Sequence, residues 1–521
     1  MDLLIAATSL YNDPAAEDWQ PDLRSTVAYL RRNNIDVGFV YEPVLSRNGV
    51  AARCATLAPR LLFLELSEET RAAVLDFACR FKAARPETLV AIGGISPTLM
   101  WSDFLRDYDY IDFIVAGERD VTLLEVAKRR RQGRGLDHIA GLQSRKFRNP
   151  PCPLLSDLDC LEGMAQDGLA DLLKPYPPRE RVGYLVGSRG CYANCSFCGI
   201  PDFFRRSGGS SWRGRSPRSI VKELCTLSEA FEISQFVFVD DNFIGPGRLG
   251  QERAQEIAQE IIANNLSIEF HICCRLTDIQ QTTFELLRKA GLRGVGVSVE
   301  STNQPSLNLM GKGMRSEIIY PTLGLLERMG IQCQVNLIFF DPYITIEGVK
   351  GNLELLEHLR RSKYLSYSDA FPFNELTAFP WSRVASILRK DNLLAHGTRC
   401  RFRDPRVARL VEFARRLRTH VSCCFKKRLL LDNDRSSEFV DLSPQEALNL
   451  ASVTAGLRSW IGLDILPRTL CAACDVLERT SDDIDQKLGD LEESFQREIR
   501  LIPLMMVSCP PPKATACPTF A

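Results

Sequence analysis

Charge excess is the first thing this sequence lacks. Its 65 Lys and Arg balance 65 Asp and Glu, a formal net charge of +0 over 521 residues. No bulk field therefore draws it to nucleic acid or to an anionic membrane. No uninterrupted apolar run reaches membrane-spanning length. The opening MDLLIAATSLYNDPAAEDWQ has neither the basic n-region nor the long apolar h-region of a secretory signal. Internal repeats are absent. These absences lead us to expect a cytoplasmic protein that partners neither nucleic acid nor membrane.

What is there is mostly ordinary: 45% hydrophobic and 25% charged residues, and length for about three domains. The cysteines are not. Eighteen of them cannot form a disulfide framework in a reducing compartment. Most stand singly, as Cys54, Cys79, Cys225 and Cys333 do, where a small buried hydrophobe explains them. The adjacent pairs Cys273–Cys274 and Cys423–Cys424 read the same way. Only Ser188 to Phe204, SRGCYANCSFCGIPDFF, concentrates three: Cys191, Cys195 and Cys198.

Along residues 1–148, short apolar runs (DLLIAATSL, DVGFVYEPVL, RLLFLEL, TLVAIGG, YIDFIVAGE) alternate with helical patterns such as ETRAAVLDFACRFKAARP. Runs without strict alternation suit strands buried on both faces, and helices between them imply a parallel sheet. This predicts a doubly wound, Rossmann-like α/β domain whose ligands bind at the carboxyl ends of strands. Prolines cluster over 149–181, the expected linker. From 182 to 390 the alternation restarts with GYLVGS and runs through SQFVFVDD, IEFHICCR, GVGVSVES and CQVNLIFF. Helical stretches separate these runs and predict a partial (β/α)6-type barrel, with the cysteine loop directly after its first strand. Residues 391–521 form a mostly helical region with a Pro-rich tail, expected to cover the open end of the barrel.

Three thiolates on one loop can hold three irons of a [4Fe–4S] cluster and leave the fourth iron to a non-protein ligand. A structural zinc site asks for a fourth Cys or His nearby. The next histidine after the loop, His271, lies far along the chain in a predicted strand. A ferredoxin-type carrier would itself supply a fourth cysteine. The fourth position is left for substrate or cofactor.

Cys191-x3-Cys195-x2-Cys198, with aromatic Phe197 ahead of the last cysteine and β/α alternation downstream, resembles the radical S-adenosylmethionine (SAM) superfamily. WRGRSP, FVFVDDNF and GVGVSVES resemble its successive strand-end motifs. LNLMGKGM and FFDPYITIEGV resemble the segments that follow in its B12-binding branch. The resemblance implies that Cys191, Cys195 and Cys198 ligate a [4Fe–4S] cluster and that SAM chelates its fourth iron. It implies that an electron from the cluster cleaves the sulfonium to methionine and a 5′-deoxyadenosyl radical. Phe197, Asp240, Asp241, Arg275, Glu300 and Ser301 become candidates for holding SAM. Asp240 and Asp241 also read as caps of the next helix or turn, and Arg275 as the partner of a nearby carboxylate.

VAIGGISPT and DFIVAGERDVTLLEV resemble the B12-binding domain that precedes many such barrels. That likeness names Gly93, Gly94, Ser96, Thr98, Gly117 and Glu118 as cobalamin-binding candidates. The chain departs from the Asp-x-His-x-x-Gly loop of the mutases, since the one histidine here is His138, in GLDHIAGL. Members of the radical branch bind cobalamin without that histidine, so cobalamin stands beside the cluster and SAM as an expected cofactor. The branch implies methyl transfer to an unactivated carbon or phosphorus by way of methylcobalamin. The substrate is then a biosynthetic small molecule or a peptide, with an external electron donor such as flavodoxin or ferredoxin. Two other readings stay open: a cyclase, epimerase or rearrangement enzyme without methyl transfer, and a non-catalytic iron–sulfur or zinc redox sensor. Cys471-x2-Cys474 invites a second cluster, with Cys509 and Cys517 as partners, or marks one face of a packed helix.

Overall fold

The computed structural model describes residues 1–7, 20–41, 50–161, 163–367, 373–395, 397–431, 465–478 and 483–506. The first sheet is built from β1 (Leu3–Ala7), β2 (Val37–Tyr41), β3 (Leu61–Glu65), β4 (Leu89–Gly93), β5 (Phe113–Val115) and β6 (Leu142–Gln143). Its order is β2-β1-β3-β4-β5-β6, parallel except for β6. Leu4, Leu62 and Val90 turn to one face, against Phe77, Phe81 and Phe104. Leu3, Ile5 and Phe63 turn to the other, against Leu23, Val27 and Leu123. Both faces are apolar because both are covered by helices, which is why these strands read as continuous runs. The chain moves outward from β1 in both directions, so the β1/β3 boundary is a switch point whose carboxyl side is open.

The second sheet repeats the logic with a different order. Its strands and ribbon are β7 (Val182–Leu185), β8 (Ser188–Gly190), β9 (Trp212–Gly214), β10 (Gln235–Phe238), β11 (Glu269–Cys274), β12 (Leu292–Glu300), β13 (Gln332–Leu337) and β14 (Leu365–Tyr367). β7 and β10 to β14 pair in sequence order, all parallel, and β14 is not joined to β7. This is the partial six-stranded barrel expected. β8 and β9 stand apart as an antiparallel ribbon. Helix starts follow local rules: Ser216 accepts the Ser219 N–H at 3.2 Å, and Pro217 opens Pro217–Phe231.

The proline-rich stretch between the sheets is closely packed. It contains the helix Leu169–Leu173 and buries Leu158, Leu161, Met164 and Leu173. Arg24 reaches from the first domain to the carbonyls of Ala165 and Asp167 at 3.0 and 2.7 Å. Helices Pro405–Leu431, Leu466–Glu478 and Ile484–Met506 pack on one another, and Leu466–Glu478 also packs on the barrel helix Ile346–Arg361. They share a core with it through Leu410, Leu417, Leu470, Leu477 and Phe495. The described helices therefore lean on the last barrel helix instead of roofing the mouth, because that helix keeps a second apolar face. The roof over the cysteine loop comes from residues 376–400. Among the described residues, no helix is long and apolar enough to cross a membrane.

Candidate active site between two sheets

β7 delivers the chain to its carboxyl end, where the ribbon turns into the cysteine loop. Gly190 ends β8 with a φ of 84°. A Cβ there would lie 2.0 Å from the Ser211 carbonyl oxygen, so glycine alone makes this turn. Cys195 is buried, and Cys191 and Cys198 are half-buried. Ser196 ties the loop to the segment after β12, donating its N–H to the Met310 carbonyl at 2.7 Å and its Oγ to that of Leu309 at 2.8 Å. Arg383 donates to the Asn194 and Cys195 carbonyls at 2.6 and 3.1 Å. Arg275 Nη1 stands 3.8 Å from Cys195 Sγ, a charged donor facing a sulfur.

Burial pushes the Cys191 thiol up and the Cys198 thiol up to about 12. A bound cation reverses that cost by stabilising the thiolate. Among the described residues, no three His, Cys, Asp or Glu side chains converge as ligands of one ion. A cluster takes one thiolate per iron, and three thiols on one loop, with Arg275 beside one of them, are the donor set that fits it.

The SAM candidates divide into two groups. Arg275, beside Cys195, also donates to the Lys312 carbonyl, and its guanidinium lies 5.7 Å from the Tyr192 ring centre. Only its backbone N–H meets a carboxylate, Asp278 at 3.1 Å. Asp278 in turn accepts from Tyr192 and from Asn242 at 2.7 Å. Asp241 is exposed to the inter-domain cavity yet enclosed by the protein around it; that enclosure, with Asp240 and Asp22 nearby, pushes its carboxyl up to about 7. The others are already engaged. Asp240 accepts from Ser188 and from the Gly187 N–H at 3.0 Å. Glu300, at a φ of 69°, is held by Lys312 at 3.0 Å. Ser301 donates to Asn352 at 3.1 Å, and Phe197 packs against the 376–400 roof.

The carboxyl ends of both sheets meet on one cavity of about 360 Å³. Gly94 and Glu118 line it; Gly93, Ser96, Thr98 and Gly117 shape the turns behind its wall. Gly94 has a φ of 113°, and a Cβ there would strike the Leu66 carbonyl oxygen at 2.3 Å. Thr98 Oγ1 accepts the Gly117 N–H at 3.0 Å, while Ser96 meets Glu68 and the Trp381 indole, the latter at 3.2 Å. Glu118 is clamped by Arg213 at 2.7 and 3.0 Å and by the Leu155 N–H at 3.1 Å.

Arg189 joins the two domains. From β8 it reaches Asp120 at 2.6 Å, Asp22 at 2.7 Å and Glu118 at 3.4 Å, and both Arg189 and Asp120 are buried. Burial works against the Asp22 carboxylate, yet Arg119 and Arg189 hold it well below the usual range.

Residues 185–356 match the model of the Radical SAM superfamily. That stretch is a radical SAM domain. The chain is 26% identical over 317 residues to the uncharacterized methyltransferase PH0819 of Pyrococcus horikoshii, covering 60% of this chain and 66% of that protein. It is 27% identical over 298 residues to the anaerobic magnesium-protoporphyrin IX monomethyl ester cyclase of Synechocystis, covering 55% of this chain and 57% of that protein. Each match spans less than two thirds of the relative's own length. The solved structure of the cobalamin-dependent S-adenosylmethionine radical enzyme OxsB, with aqua-cobalamin and S-adenosylmethionine bound, is similar in fold. That likeness covers 98% of this chain and 75% of OxsB, with a TM-score of 0.74 at 17% identity.

Sequence reasoning about this radical SAM domain missed Arg189, Asp278, Lys312 and Trp381. Arg189 and Lys312 sit inside strings already singled out, but an arginine ahead of a cysteine carries no spacing signal. Their importance lies in partners up to 167 residues away. The second-cluster candidates separate: Cys474 is fully buried between Leu470 and Leu477, and Cys471 is exposed. Cys509, Cys517 and the Pro-rich tail lie outside the described residues, as do the side chains of Cys423 and Cys424.

Proposed function

We propose that this chain is a cobalamin-dependent radical SAM methyltransferase that methylates an unactivated carbon of a biosynthetic intermediate. One observation carries the reading: the carboxyl ends of the doubly wound sheet and of the barrel meet on one cavity, whose wall includes Gly190 and Ile200, the residues on either side of the cysteine stretch. When bound, the cluster and SAM supply a 5′-deoxyadenosyl radical, and cobalamin supplies a methyl group.

The chain's own residues do the rest. Cys191, Cys195 and Cys198 would hold three irons, with Arg275 donating toward the Cys195 sulfur at 3.8 Å. Asp241 offers a carboxyl that holds or releases a proton near neutral pH, or pairs with a cationic group of SAM. A corrinoid would rest on the ends of β3 to β5, at Gly94 and Glu118. It would lack a protein imidazole, because no histidine lines the cavity and His138 is exposed and paired with Asp137 at 3.1 Å. Ile95, Phe203, Phe204 and Val239 give the cavity an apolar wall that excludes water from a radical. The relative named a methyltransferase supports methyl transfer; the one named a cyclase favours, as second reading, the same radical without it.

The test is anaerobic reconstitution with iron, sulfide and hydroxocobalamin, followed by incubation with SAM and reductant. Retained near-equimolar cobalamin, with release of both 5′-deoxyadenosine and S-adenosylhomocysteine, is the expected result. 5′-Deoxyadenosine alone, without retained cobalamin, would overturn methyl transfer and leave the second reading.

A further inference from the structure

The roof over the cysteine loop is charged in a way the whole chain is not. From Arg383 to Arg403 the sequence has six Lys or Arg against one Asp, within a chain of net charge +0. Arg389, Lys390, Arg399 and Arg401 are exposed and make no ion pair among the described residues; Arg403 pairs with Asp391 at 3.8 Å. Helix Arg383–Lys390 buries Val384 and Leu388 and leaves Ile387 40% exposed. Lys390 flanks Ile387 on that outer face at helical spacing, while Arg383 turns in to the cysteine loop. Leu394 and Cys400 bridge as an antiparallel pair. Cys400 points inward, so its neighbours Arg399 and Arg401 point out.

This surface touches the site directly. Val384 donates its N–H to the Ser196 carbonyl at 2.9 Å, and Arg383 holds the carbonyls of Asn194 and Cys195. A protein seated on the helix is thus separated from the cysteine sulfurs by little more than one helix diameter, about 10–12 Å. On its other side the loop meets the first domain, whose Ile95 lies against Gly199. An apolar centre ringed by unpaired cations is the make-up of a small, transient, salt-sensitive interface.

We propose that the surface of Arg389, Lys390, Arg399 and Arg401 around Ile387 docks a small acidic one-electron carrier protein that reduces the cluster. The inference rests on the radical SAM reading above. One electron leaves the carrier, which is oxidised, and enters the cluster, which is reduced; no bond forms or breaks at the docking surface.

The experiment compares reconstituted wild-type protein with the quadruple variant Arg389→Glu, Lys390→Glu, Arg399→Glu and Arg401→Glu. Binding of oxidised flavodoxin is titrated at low and high salt. 5′-Deoxyadenosine formation is then driven by reduced flavodoxin or by reduced methyl viologen, a small cation this surface does not attract. Docking predicts that flavodoxin binding and the flavodoxin-driven rate fall by about tenfold or more in the variant, and in the wild type as salt rises. The viologen-driven rate stays within about twofold. Ile387→Ala, with no charge change, weakens flavodoxin binding alone. Equal losses with both reductants, or none with either, overturn the proposal. So does tighter wild-type binding of a short RNA duplex than of flavodoxin. If viologen yields no 5′-deoxyadenosine from the wild type, the radical reading fails, and the titration still decides the docking.

Discussion

Cys195 and Cys198 share their spacing with Cys471 and Cys474, yet the two pairs live in opposite surroundings. The first pair sits in a loop after a strand, with a guanidinium at 3.8 Å from one sulfur and a third cysteine four residues upstream. The second sits in the helix Leu466–Glu478, with Cys474 sealed among leucines and Cys471 facing out. Burial raises both Cys198 and Cys474 to about 12. The cation near the second pair, Lys350, is taken up by Asp475 and Glu478 at 2.9 and 2.8 Å, whereas the first pair lies on a loop with a third thiol, where a metal cluster can reverse that shift. Spacing proposes a ligand set; backbone conformation and local charge decide it.

The two regions are also held by different forces, and that difference can be tested. The largest effect should come from replacing Cys191, Cys195 and Cys198 together by Ala. Reconstituted protein should lose essentially all its iron and its charge-transfer absorbance, whereas Cys471→Ala with Cys474→Ala should keep both. Next comes Arg189→Met, which leaves the buried Asp120 without its guanidinium at the domain boundary, while Asp22 keeps Arg119 and Glu118 keeps Arg213. Removing one partner of a buried ionic set costs about 3–5 kcal/mol, read as a fall in denaturation midpoint, with partial rescue by Arg189→Lys. In the apolar helix, Leu470→Ala should cost about 2–5 kcal/mol by cavity formation and leave iron content unchanged.

Acid should separate the regions further. Asp22 is held below the usual carboxylate range, so its contribution is present above about pH 4 and is lost as pH falls through its folded pKa. Asp241 runs the other way. Its folded pKa of about 7 lies above that of the unfolded chain, so native protein binds the extra proton between about pH 4 and 7, and stability declines as pH rises through that window. Thermal scans of the apoprotein should show Asp241→Asn removing that decline, while Leu470→Ala shifts all pH values alike. The smallest effect belongs to Cys471→Ser, exposed and expected within about 0.5 kcal/mol of wild type.

Much of this was legible in the chain. Apolar runs such as LLFLE, buried on both faces, and the helices between them announced two parallel sheets, because hydrophobic period and turn chemistry are local properties. The cysteine trio was legible because three ligands fit within eight residues. Other parts could not be read that way. The likeness that named Gly93 and Ser96 as cobalamin-binding candidates carried no sign that Phe63 and Trp381 lie against them. The 376–400 segment showed no sign of being a roof, because its contacts with Phe197 and Ser196 span nearly two hundred residues.

The sequence by itself determined the secondary elements, the two-sheet order and the thiol cluster, each encoded within one or two turns of chain. The tertiary structure alone decided that the sheets' carboxyl ends share one cavity, that Arg189 locks them together through three carboxylates, and that a cationic cap lies over the cysteine loop. Those features are sums over distant residues. Charge pairing and burial depend on the distances that folding creates, and no local pattern contains them.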